Sequence, residues 1–158
     1  MSIEAMAPTS TMPRPRPYAP ETVRLAAERI AAECVGWDPT SRSEHWIDAL
    51  SGCVSDWHDG YRLARQLEIH SSVIPDSNLV EILDGAYHHL DAVREEADKA
   101  WVRIVGFTPA HAVGDVVTMR HGTGPVHMVD EERARYVVDV ERTGNGGIYA
   151  NAEDLIAS

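Results

Sequence analysis

The hydrophobic periodicity of this chain changes partway along its 158 residues. That change sets the fold class before any motif is considered. Up to about Ile104, apolar residues recur every three or four positions, the spacing that lines one face of an α-helix. Beyond Gly106 and Pro109, short apolar segments alternate with polar residues, the two-residue repeat of a strand. Helices first and short strands afterwards, without βαβ alternation, predict an α+β protein.

The helical portion divides at its turn residues. A first helix is expected to start near Pro20, since proline suits the first helical turn. Val23, Ala26, Ala27, Ile30, Ala31 and Cys34 share one of its faces, and Gly36 with Asp38-Pro39 ends it. Ser41 and Glu44 have the spacing of a capping box. Behind them runs a second stripe, Ile47, Leu50, Val54, Trp57, Tyr61 and Ala64, weakened at Gly52 and Gly60. Ile74-Pro75-Asp76 is a stop and restart. The third and longest helix is predicted over Ser77 to Ile104, roughly 40 Å at 1.5 Å per residue. These segments predict a helical bundle of three or four helices, one long, over residues 20–106. Ahead of it, Pro8, Pro13, Pro15 and Pro17 lie among residues 1–19 without apolar periodicity, which predicts a disordered arm.

The rest, residues 111–158, reads as a small antiparallel barrel. Strands are expected at Val116–Met119, Val126–Val129 and Tyr136–Val140, with a fourth around Ile148-Tyr149. Gly122-Thr123-Gly124-Pro125 and the Thr143–Gly147 run, which includes Asn145-Gly146, have turn composition. Val113-Gly114-Asp115-Val116-Val117-Thr118-Met119, then Gly124-Pro125-Val126-His127-Met128-Val129, Tyr136-Val137-Val138-Asp139 and Ala152-Glu153-Asp154-Leu155 together resemble an SH3-like barrel. More narrowly, they resemble the "GDVV…GGP" barrels of uncharacterised bacterial and phage proteins. The resemblance covers about the last 48 residues. It implies an accessory or adaptor module and carries no catalytic residue.

Charge narrows the function. The chain carries a net charge of −11, and from Glu44 to Asp98 twelve carboxylates face only Arg62, Arg65 and Arg94. A field of that sign repels nucleic acid and anionic membranes and attracts proteins with basic surfaces. Glu81, Asp84, Asp91, Glu95 and Asp98 fall on the polar side of the third predicted helix and are the expected partner-binding acidic face. Trp37, placed in a turn after Gly36, is the expected exposed aromatic anchor. No segment approaches the length of a membrane helix, and the N-terminus lacks the charged-then-apolar pattern of a signal peptide. A cytoplasmic protein is expected. Cys34 and Cys53 lie among apolar residues and read as buried free thiols.

The enzymatic alternative is a metal site. Asp84, His88 and Asp91 are spaced to share a helix face, and His45, His58 and Asp59 add further ligands. A histidine, a later His-Asp pair and a further aspartate resemble the metal-dependent HD phosphohydrolases. The interval of thirteen residues from His45 to His58 and the missing apolar context around the dyad depart from that pattern. Nucleophilic catalysis has no motif, and Gly122-Thr123-Gly124 lacks the helix and lysine of a phosphate cradle. His121 and His127 flank the predicted first β-turn and are expected to face one another. The leading expectation is a non-enzymatic interaction protein without a cofactor, in one version a phage or mobile-element inhibitor that mimics nucleic acid. The other two readings are the metal-dependent phosphohydrolase and a structural homo-oligomer built on the long helix.

Overall fold

A computed structural model describes residues 12–140 and 147–156. Helices and an antiparallel sheet follow one another along the chain, so the protein is α+β. The described residues form two compact units, one of residues 15–97 and the other of residues 12–14 with those described after Ala97.

Residues 15–97 are helical. Helix α1, Pro20–Trp37, opens on its proline and buries Val23, Ala26, Ala27, Ile30, Ala31 and Cys34, the face its spacing predicts. Helix α2 is Ser43–Ser51, shorter than its apolar stripe. The chain leaves it at Gly52, passes a 3₁₀ turn at Val54–Asp56, and re-enters helix as α3, Gly60–Ser71. Asp59 starts α3 by accepting from the Arg62 N–H at 3.0 Å, and Asp76 starts α4, Ser77–Asp84, by accepting from Leu79 N–H at 2.9 Å. Helix α5 is Ala86–Val105.

Two expectations fail here. The predicted Ser41–Glu44 capping box does not form: Ser41 Oγ donates to Asp38 Oδ2 at 2.5 Å, and Glu44 pairs with Arg24. The single long helix over Ser77–Ile104 is two helices, α4 and α5, broken at Gly85. Gly85 N–H bonds back to Ile82 O at 3.1 Å, an i→i−3 bond that interrupts the α-helical ladder. The apolar spacing runs through the break undisturbed, because Leu79, Leu83, Ala86, Leu90 and Val93 all enter one core. Trp46 and Trp57 are fully buried in that core, and Trp57 Nε1 donates to Leu50 O at 3.1 Å.

In the other unit, β1 (Val116–Met119), β2 (Gly122–Asp130), β3 (Arg135–Val138) and β4 (Ile148–Asn151) form a curled half-barrel sheet in sequential antiparallel order. Val117, Met119, Val126, Tyr136, Val138 and Ala150 make its inner face, with Phe107 packed against them. Beyond β4, a 3₁₀ turn at Ala152–Asp154 leads to Ile156, whose N–H bonds to Thr118 O of β1 at 2.8 Å.

Gly122-Thr123-Gly124-Pro125 was expected to turn the chain, but it begins β2, and Arg120-His121 makes the turn, with Met119 opposite Gly122. The glycines serve close approach instead. A Cβ on Gly124 would stand 1.8 Å from the carbonyl oxygen of Asp139, and one on Gly122 would stand 2.6 Å from Val140 Cγ1. His127 sits at a bulge in β2, where the register with β3 slips between Val126 and Met128. His121 lies in the turn and His127 stands 3.5 Å from Asp139, so the two do not form the expected facing pair. Of the predicted turn over residues 143–147, residues 143–146 lie outside the described residues.

Candidate functional site

The carboxylates of α4 and α5 form one surface by their spacing, and the structure sorts them by use. Glu81, Asp84 and Asp91 are exposed and Glu95 is half-buried. Asp91 pairs with Arg94 at 3.3 Å on its own helix, a contact worth little in water. Glu96 accepts from Arg29 of α1 at 2.7 Å, and that hydrogen bond holds its pKa below the ordinary carboxylate range. Asp84 holds two helices together. Its Oδ1 accepts from the Gly60 N–H at 2.7 Å, satisfying a free donor in the first turn of α3.

Asp98 does not belong to the acidic face. It is 4% exposed, because two arginines surround it. Over residues 15–97, fifteen acidic residues stand against seven basic ones, a net charge of −8 that survives the loss of Asp98 from the surface.

Trp37 is not an exposed anchor either. It is half-buried against the helical core, edge-on to Trp46 at 6.1 Å, and its Nε1 donates to Asp76 Oδ1 at 3.0 Å. Trp37 ends α1 and Asp76 starts α4, so the indole joins two helix termini that are 39 residues apart. Asp76 is held below its usual pKa first by the Leu79 N–H and, against the cost of desolvation, also by this indole.

The proposed metal ligands are dispersed. The His58 ring lies 4.0 Å from that of Tyr87, Asp59 caps α3, and Asp84 bonds Gly60. His45 lines an open depression of about 460 Å³ with Asp48, Ala49, Gly52, Cys53, His70 and Ser71. Among the described residues no three His, Cys, Asp or Glu side chains are gathered in a way that would hold a metal ion, either there or around His88 and Asp91. The thiols offer no nucleophile. Burial, and then Glu33, pushes the Cys34 thiol up to about 12, and burial raises Cys53 as well.

The site that sequence reasoning missed lies in the unit containing the sheet. Arg14 belongs to the arm expected to be disordered, yet its side chain is only 10% exposed. Its guanidinium meets a partner on every side. Nε donates to Glu153 Oε1 at 2.5 Å, and Nη2 reaches Glu153 Oε2 at 3.2 Å, the two-pronged geometry of a strong arginine–carboxylate pair. Nη1 donates to Arg133 O at 2.8 Å and Nη2 to Ala134 O at 2.9 Å. Asp98 Oδ1 lies 3.2 Å from Nη1, and the group rests 4.5 Å from the centroid of the Trp101 ring.

Trp101 Nε1 in turn donates to Met12 O at 3.0 Å, and Arg135 shares Asp98 from β3. Desolvation works against the Arg14 charge, but Glu153 and then Asp98 outweigh it and raise its pKa. Ala134 holds a left-handed backbone, φ 49°, unusual for a residue with a side chain. The sequence signal is faint: an arginine between prolines, in a segment with the composition of a flexible tail.

Among the described residues no helix is long and apolar enough to cross a membrane. Comparison with known proteins finds no matching family model, no matching curated protein and no matching solved structure.

Proposed function

We propose that the protein is a non-enzymatic interaction module whose acidic helical surface docks on a basic, nucleic-acid-binding surface of another protein. On this reading the helices act as a bundle and the sheet as an SH3-like accessory barrel, in the manner of an inhibitor encoded by a phage or mobile element. One observation carries it: between Ser77 and Ala97, α4 and α5 carry five carboxylates and a single basic residue, Arg94, with Arg29 of α1 meeting only Glu96, while their apolar neighbours are buried in a common core. The charge therefore sits on a folded surface, where it attracts a cationic partner over a Debye length of about 8 Å at physiological salt.

The test must spare the carboxylates that hold the fold. Glu81, Asp91 and Glu95 are replaced together by Gln, Asn and Gln, leaving Asp84 on Gly60 and Asp98 between its arginines. Protein captured from a native-host extract by the unsubstituted chain is expected to be released by duplex DNA and by salt, and not to be captured by the triple variant. Capture that is indifferent to all three treatments overturns the reading.

A further inference from the structure

We propose that the cage around Arg14 is a binding site for arginine in a proline-flanked segment, filled in this structure by the chain's own arm and open to the same segment from a partner polypeptide. The proposal is independent of the acidic helical face, because every group of the cage belongs to the other unit.

The cage is specific in its chemistry. Glu153 takes two donors of the fork, the Arg133 and Ala134 carbonyls take the outer N–H groups, Asp98 supplies a second negative charge, and Trp101 covers the planar face. A lysine ammonium, a point charge with three rotatable donors, cannot occupy these positions at once. Residues 12–19 form neither helix nor strand, and the occupant is held through its guanidinium together with a backbone contact, Met12 O accepting from Trp101 Nε1 at 3.0 Å. Pro13 and Pro15 on either side of Arg14 restrict the backbone and lower the entropy cost of presenting the guanidinium.

A second feature marks the cage as built for a ligand. The two carbonyls that receive Arg14 belong to consecutive residues, and the second of them, Ala134, has the left-handed conformation. Strain of this kind persists where the surroundings over-determine it, commonly at sites that clamp a ligand. The Ala134 carbonyl also accepts from Ala152 N–H at 3.0 Å, so the surrounding structure holds its orientation as well. A tethered arm competes at an effective concentration on the order of millimolar, so an arginine in trans enters readily only when the arm is displaced or disarmed.

The probe is the acetylated, amidated peptide Met-Pro-Arg-Pro-Arg-Pro, the chain's own residues 12–17. Fluorescence anisotropy on the full-length Arg14→Ala variant is expected to show binding at least tenfold tighter than to the unsubstituted chain. Replacing the first arginine of the peptide by lysine is expected to weaken it at least tenfold, as is adding Glu153→Gln to the variant. Equal affinity for the two chains, equal affinity for the two peptides, or no binding to a folded Arg14→Ala chain overturns the proposal. Should Arg14→Ala not fold, the peptide is expected to restore its melting transition and the lysine peptide is not; failure of that restoration overturns it equally.

Discussion

The N–H of Gly60 donates to Asp84 Oδ1 at 2.7 Å, and the two backbones pass so closely that a Cβ on Gly60 would stand 2.3 Å from that oxygen and 2.6 Å from Asp84 N and Val80 O. The contact joins the start of α3 to the end of α4. Two of the three obstructing atoms are backbone, so neither rotamer change nor a small side-chain shift relieves the clash.

Gly60→Ala is therefore expected to destabilise the helical unit by about 2 kcal/mol, the usual cost of overpacking. Gly36 of α1 is the control. Nothing lies within 4 Å of a Cβ there, so Gly36→Ala is expected to stabilise by about 0.5 kcal/mol through helix propensity. Urea unfolding of the two variants checks both signs.

Close backbone approach also makes Gly124 hard to replace in β2. A Cβ would meet Asp139 O at 1.8 Å, just where Asp139 N–H bonds to Pro125 O at 3.0 Å. Gly124→Ala is expected to cost about 3 kcal/mol and to disturb the β2–β3 pairing. Amide exchange at Asp139, whose N–H bonds to Pro125 O, reads that effect.

Asp98 and Asp91 differ only by context, which makes them a matched pair. Asp98→Ala leaves Arg14 and Arg135 without their shared buried carboxylate and is expected to cost about 4 kcal/mol. Asp91→Ala removes an exposed i,i+3 pair and is expected to change stability by less than about 0.5 kcal/mol. Thermal melts of both at equal salt decide it.

Cys34 couples stability to alkaline pH. Its folded pKa is about 12 against 9.0 for a free thiol, so the folded state holds the proton more tightly. Its contribution is complete below pH 9, where both states are protonated, and it is lost as pH rises from there towards 12. Cys34→Ser or Cys34→Ala is expected to flatten that part of the stability profile. A thiol reagent at neutral pH is expected to label Cys34 only as fast as the chain unfolds, since the residue is fully buried.

Much of the helical architecture was legible because burial is recorded in spacing. Val23 through Cys34 on α1, and Leu79 through Val93 across α4 and α5, enter a core in the register that their periodicity predicts. Boundaries were less legible. The stripe runs on through Gly85 because a helix break of this kind leaves the apolar phase intact, and only the i→i−3 bond to Ile82 reveals it. The glycines of β2 read as a turn because the sequence cannot show that Asp139 passes within contact of Gly124.

Local sequence dictates the order of helices and strands, the excess of carboxylates on the helical segments, and the apolar faces that must be buried. Each is a property of residues close together along the chain. Tertiary structure alone decided how individual charges are used. Asp98 and Asp91 are both aspartates seven positions apart on α5, yet one is buried between Arg14 and Arg135 while the other stays in water beside Arg94. Arg14 reaches Glu153 from 139 residues away. An ion pair depends on distance in space and on the surrounding dielectric, and local sequence encodes neither.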